Sequence, residues 1–167
     1  METKIVNLFG GAGIGKSTLA AGLFYLMKKA GHSCELVQEF AKELTWAERH
    51  NDLQCQLYVS GRQYHRIHSL VGKVENIIVD SPFLLGTVYT PDFYPEEFKT
   101  MLIKLWKQYN NVNFLINRNK PFNPIGRNQT EEESRKIDVE IKNILDNNQI
   151  EYKVVEDIPD LRIHLGV

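Results

Sequence analysis

Residues 4–9 (Lys-Ile-Val-Asn-Leu-Phe) lead directly into Gly10-Gly11-Ala12-Gly13-Ile14-Gly15-Lys16-Ser17, after which Leu19, Leu23, Leu26 and Met27 fall at helical spacing before Gly31. This reads as a buried strand, a phosphate-binding loop of the form G-x-x-x-x-G-K-[ST], and a helix over residues 17–30 closed by a glycine cap. Strand, loop and helix in that order commit the chain to an α/β fold. The chemistry follows from geometry: the glycines let successive backbone N–H groups turn inward around phosphate oxygens at the positive end of a helix. Residues Gly11, Ala12, Gly13, Ile14, Gly15, Lys16, Ser17 and Thr18 are therefore expected to bind a nucleoside triphosphate. Lys16 would reach the outer phosphates, and the Ser17 hydroxyl would take a Mg²⁺ position.

The rest of the chain alternates strands and helices. Strands are expected over residues 34–38, 77–80, 112–117 and 152–155. Helices are expected over 40–50, over 51–72 with Asn51 and Gln54 in a capping box, over 95–109, and from a second capping box at Thr130 and Glu133. The 51–72 helix would bury Leu53, Leu57, Ser60, Tyr64, Ile67 and Val71. The 95–109 helix would turn Phe98, Met101, Leu102, Leu105 and Trp106 inward, and the last helix would bury Ile137, Ile141, Ile144 and Leu145. Alternation of this kind predicts a parallel sheet covered on both faces, three layers deep. Five strands with the loop after the first suit the P-loop kinase fold, strand order 2-3-1-4-5, with ligands beyond the carboxyl ends of the strands.

Size and charge limit the alternatives. A chain of 167 residues is one domain, residues 1–167, with room for a proper core. Its 20 basic and 21 acidic residues leave a formal charge of −1, so no overall basic field exists to grip nucleic acid. No apolar run approaches the roughly 20 residues a membrane span needs. Cys34 and Cys55 fit reduced thiols, with no signal peptide ahead of the first strand, so a soluble cytoplasmic protein is expected.

Other positions separate the classes of P-loop protein. A GTPase needs D-x-x-G after the third strand and N-K-x-D after the fourth; here stand Asp80-Ser81-Pro82-Phe83 and Asn119-Lys120-Pro121-Phe122. A mechanical ATPase ends its second motif with paired carboxylates, but Asp80 is followed by Ser81. Asp80 can still hold Mg²⁺ through the ion's water shell. Transfer to a bound hydroxyl remains, which needs a carboxylate facing the acceptor, cations over the moving phosphoryl group, and an acceptor pocket. Glu39, directly after the second strand, can orient or deprotonate a hydroxyl; it can equally serve as the acid at a helix N-terminus. Arg118 and Arg127 bracket a segment stiffened by Pro121 and Pro124, a short arginine-bearing lid over about residues 118–130 or a solvated loop. Gln54, Tyr58 and Arg62, with His65, share a helix face and would line the acceptor side with an amide, an aromatic platform and a cation; an ordinary solvated face is the alternative.

These residues carry a resemblance. The chain resembles small P-loop kinases encoded by bacteriophages, often described only as AAA-type ATPases, and more distantly ribosylnicotinamide and deoxynucleoside kinases. The resemblance runs through residues 10–18, 38–42, 57–63, 80–82 and 117–133. It implies Mg²⁺- and ATP-dependent phosphoryl transfer to a hydroxyl of a nucleoside, a nucleotide or a modified base, in the host cytoplasm if the chain is phage-encoded. Phage kinases of this appearance act on 5-hydroxymethyluracil within DNA. The run Asp80-Ser81-Pro82 departs from the Glu-Arg-Ser of deoxynucleoside kinases, which leaves the acceptor open. On this reading Lys16, Glu39, Arg118 and Arg127 are catalytic, Ser17 and Asp80 serve the metal, and Gln54, Tyr58 and Arg62 bind the acceptor. A nucleotide-dependent switch or ATPase subunit with little kinase activity is the alternative.

Overall fold

A computed structural model describes residues 2–119, 121, 122, 125 and 129–166. Its centre is β1 (Lys4–Phe9), buried after its first residue. β1 pairs in parallel with β3 (Asn76–Val79) on one side and β4 (Asn110–Ile116) on the other, in a register that sets Asn7 opposite Val79 and Asn113. β2 (Cys34–Val37) pairs with β3 and β5 (Lys153–Val155) with β4, giving a parallel five-stranded sheet in the order β2-β3-β1-β4-β5. That is the expected topology.

Strand alternation divides the core into two layers around the sheet. Ile5, Phe9, Ile77 and Val79 face one cluster with Ile67, Leu102, Trp106, Ile141 and Leu145. Val6, Leu8, Ile78 and Phe114 face the other, with Leu19, Leu23 and Met27 of α1 (Lys16–Lys29) and Leu161 of α8 (Ile158–Leu165). Gly31, at φ 86°, follows α1, and the His32 amide returns to the Met27 carbonyl at 3.0 Å, so the helix ends as its glycine predicts. α7 (Glu131–Asn147) carries the expected capping box, with the Thr130 hydroxyl accepting from the Glu133 amide and the Glu133 carboxylate accepting from Thr130.

The segment between β2 and β3 departs from its sequence reading. α2 runs only over Phe40–Trp46, because Glu48 turns left-handed (φ 55°) and the Arg49 amide closes back on the Leu44 carbonyl at 2.9 Å. The single helix expected over 51–72 is two, α3 (His50–Gln54) and α4 (Gln56–His68), broken at Cys55 (ψ 82°). Asn51 is therefore inside α3 and caps nothing. Gln56 Nε2 donates to the Leu53 carbonyl at 3.0 Å and satisfies an acceptor left at the break. The break also turns the buried stripe: Gln56, Ser60, Gln63 and Ile67 lie inside, and Leu57, expected inside, is 61% exposed.

Two further differences are local. Met101 of α6 (Glu96–Trp106) faces outward, since Phe98, Leu102 and Trp106 at every fourth position already fill the contact with the sheet. A buried 3-10 turn over Phe83–Leu85 and the short α5 (Gly86–Tyr89) follow β3, in a stretch to which the sequence assigns no element.

Candidate active site

The carboxyl ends of β1, β2 and β3 open into a cleft of about 560 Å³. Its floor is the phosphate loop. Gly15 is left-handed (φ 110°) with nothing near a notional Cβ, so there glycine is needed for its backbone. Gly11 is needed for space: a Cβ would lie 2.6 Å from the Ser134 carbonyl oxygen and 2.8 Å from Asp138 Oδ1. Of the residues assigned to the nucleotide, Ala12, Gly13, Gly15, Lys16, Ser17 and Thr18 line the cleft. Gly11 and Ile14 do not. The Gly11 amide donates to Asp138 Oδ1 at 2.6 Å, and the Ile14 side chain belongs to the core beneath α1. Lys16 is buried and folded onto its own loop, its Nζ donating to the Gly10 and Gly11 carbonyls at 2.7 and 2.9 Å.

Asp80 follows β3 as a buried carboxylate (3% exposed) whose Oδ1 has no hydrogen-bond partner among the described residues. An unpartnered buried carboxylate oxygen is costly unless something else satisfies it. With the Ser17 hydroxyl on the cleft floor, this donor set suits a hard, hydrated cation such as Mg²⁺, which needs only one or two protein oxygens when phosphates supply the rest. Among the described residues no group of three His, Cys, Asp or Glu could hold a metal without such help.

Glu39 lines the cleft from the N-cap position of α2, yet its side chain does not cap the helix. That task falls to Gln63 Oε1, which accepts from the Phe40 amide at 3.0 Å. α4 holds the same turn through the Phe40 ring, with Arg66 at 4.9 Å, Arg62 at 5.5 Å and Tyr58 edge-on at 5.3 Å. Arg66 also pairs with Glu43 at 2.8 Å. Glu39 thus makes no side-chain cap bond to α2, and the residue that follows it, Phe40, is held by α4.

The acceptor row divides. Gln54 lines the cleft, whereas Tyr58 and Arg62 pack on Phe40 and are not among its lining residues. The break at Cys55 brings Gln56, Val59, Ser60 and Gln63 to the cleft in their place. Tyr89 and Gln129 also line it. Burial raises the Tyr89 hydroxyl well above its ordinary pKa, and the nearby Glu39 and Asp138 carboxylates add to the shift. No pattern in the sequence marks Tyr89: it follows Gly86 in an apolar run without helical or strand periodicity.

Arg118 does not overhang the cleft. Its side chain is 6% exposed and pairs with Asp138 of α7 at 2.9 Å. Arg127, and with it residues 120, 123, 124, 126 and 128 of the expected lid, lies outside the described residues.

A parallel sheet in this order, with a phosphate loop after its central strand and a carboxylate after the strand two places away, defines the P-loop kinase fold. The chain belongs to the AAA domain family, which it matches over residues 5–160. No curated protein matches it. Among solved structures it is similar to deoxyadenosine kinase from M. mycoides with bound dATP, at 18% identity and a TM-score of 0.62, over 99% of this chain and 100% of that one. The same enzyme with the products dCMP and dCDP bound is similar at 19% identity, TM-score 0.59, over 98% and 96% of the two chains. NadR in complex with NAD and AMP-PNP is similar at 17% identity, TM-score 0.60, over 99% of this chain and 50% of that chain. At these identities the likeness is one of fold.

Proposed function

We propose that this chain is a Mg²⁺- and ATP-dependent kinase that phosphorylates a hydroxyl of a nucleoside-type acceptor. The observation that carries the reading is the single cleft that joins Lys16 and Ser17 on its floor to Glu39 on its wall. In the reaction the acceptor oxygen forms a bond to the γ-phosphorus as the bond to the ADP oxygen breaks. Glu39 holds the acceptor hydroxyl and receives its proton, and Lys16 neutralises the charge gathering on the phosphoryl oxygens. Mg²⁺, held by Ser17 and through water by Asp80, would neutralise the β- and γ-phosphates when bound. Arg127 remains proposed as a cation over the phosphoryl group.

The acceptor side favours a neutral substrate. Beyond Lys16, Lys42 is the one Lys or Arg among the described lining residues. A nucleoside monophosphate would ask for more, since its dianion must be matched once desolvated. Gln54, Gln56, Ser60 and Gln63 instead offer amides and a hydroxyl suited to a base and sugar. A hydroxymethylated base within DNA is the second acceptor, carried by the resemblance described above.

Incubation with γ-labelled ATP and a panel of nucleosides, nucleoside monophosphates, ordinary DNA and hydroxymethylated DNA tests this. Label on a nucleoside and none on the monophosphates is the expected result. Label on hydroxymethylated DNA alone selects the second acceptor. ATP binding or hydrolysis with no labelled acceptor would make the protein a switch or an ATPase.

A further inference from the structure

The phosphate loop is held from two sides. On the inner side Lys16 donates to the Gly10 and Gly11 carbonyls. On the outer side α7 grips the next peptide groups. Asp138 Oδ1 accepts the Gly11 amide at 2.6 Å, and the Ser134 hydroxyl donates to the Ala12 carbonyl at 2.6 Å. Arg118 closes this bracket: its Nε donates to Asp138 Oδ2 at 2.9 Å, and Nη2, ion-paired with the same oxygen at 2.9 Å, donates to Ser134 Oγ at 2.6 Å. Ser134 is fully buried and the Arg118 side chain nearly so, while Asp138 keeps partial contact with solvent. Such charge-assisted bonds are the strong ones.

The two sides are not equivalent once phosphates arrive. Lys16 divides its three N–H donors between loop carbonyls and ligand once it engages a phosphate oxygen, whereas Asp138 and Ser134 hold the loop from residues that do not line the cleft. We propose that Asp138, with Arg118 and Ser134, is a positioning residue that keeps Gly11 and Ala12 in the phosphate-receiving conformation while Lys16 engages the triphosphate. The role follows from the kinase reading of the cleft, and it makes Arg118 part of the loop's support in place of a cation over the transferring group.

The test is a set of titrations of Mg²⁺-ATP and of AMP against wild type, Asp138→Ala, Asp138→Asn, Arg118→Ala and the Asp138→Ala/Arg118→Ala double variant, with thermal melting of each. Asp138→Ala should weaken ATP by roughly tenfold or more, the worth of a lost hydrogen bond to a charged group. AMP, without β- and γ-phosphates, should change by less than about twofold, and the double variant should lose no more than the weaker-binding single one. Asp138→Asn keeps an oxygen for the Gly11 amide and should recover part of the affinity. Unaltered ATP affinity in Asp138→Ala, or equal losses for ATP and AMP with a lowered melting temperature, would overturn the proposal. Losses that multiply in the double variant would also overturn it, because Arg118 would then act independently of Asp138, at the nucleotide or through its own bonds to the Ala12 carbonyl at 3.3 Å. Wild type that binds ATP and phosphorylates nothing sinks the kinase reading alone.

Discussion

Lys16 and Glu39 line the cleft with opposite charges, and their variants should fail differently. Lys16→Ala removes the charge that opposes the developing negative phosphoryl group, so transfer should fall by roughly 10²-fold or more. The lost side chain bonds to its own loop and not to the core clusters on either face of the sheet, so the melting temperature should hold within a few degrees, about the effect of 1 kcal/mol. Turnover and melting measured on one preparation check both; near-normal turnover removes Lys16 from the mechanism. Glu39→Gln keeps the shape and loses the charge, and should lower transfer by about 10²-fold with ATP affinity unchanged. Collapse of ATP binding with turnover per bound ATP intact would move Glu39 to the nucleotide. The places of both residues at the cleft were legible: Lys16 closes the phosphate-loop motif that follows β1, and Glu39 stands just past the carboxyl end of β2, where the sheet itself sets direction. Gln63 and Tyr89 were not, since each earns its place from a partner in another element: Gln63 from the Phe40 amide, Tyr89 from the shared cleft with Glu39.

At the scale of elements, local rules succeeded where the signal was local. The Thr130 and Glu133 box stands in the sequence and in the fold, and Thr130→Ala should destabilise by about 1 kcal/mol in urea titrations. Its acid limb is also defined. The Thr130 amide, then its hydroxyl, holds the Glu133 carboxyl below its ordinary value of 4.5. Its stabilising contribution is therefore complete above 4.5 and is lost as pH falls through the lower folded value. Between about pH 6 and about pH 3, Glu133→Gln should lose less stability than wild type; an equal loss would show that the box carries no pH dependence. The break at Cys55 had no such signal, because Gln56 Nε2 reaching the Leu53 carbonyl stands in for the usual glycine or proline. α8 was overlooked although Asp157 caps it, accepting from the Asp160 amide, with Pro159 in its first turn.

At the scale of the molecule, the strand order was readable, and it divides the cleft. The β2–β3 side carries Glu39, Ser81 and the neighbouring glutamines of α3 and α4; the β4 side carries Pro121 and Gln129 and leads to α7. Gln54→Ala should therefore raise the acceptor KM several-fold with the ATP KM nearly unmoved. Steady-state kinetics with each substrate varied in turn checks this, and a rise in the ATP KM alone reverses the two sides. The same division has a temporal side. The Gly11 amide finds its acceptor on Asp138, 127 residues further along the chain, and β1 needs β3 and β4 as its neighbours. On a ribosome the nucleotide loop is made 127 residues ahead of the carboxylate that accepts its Gly11 amide, so a nascent chain halted before Asp138 carries its signature motif complete and its scaffold still unmade.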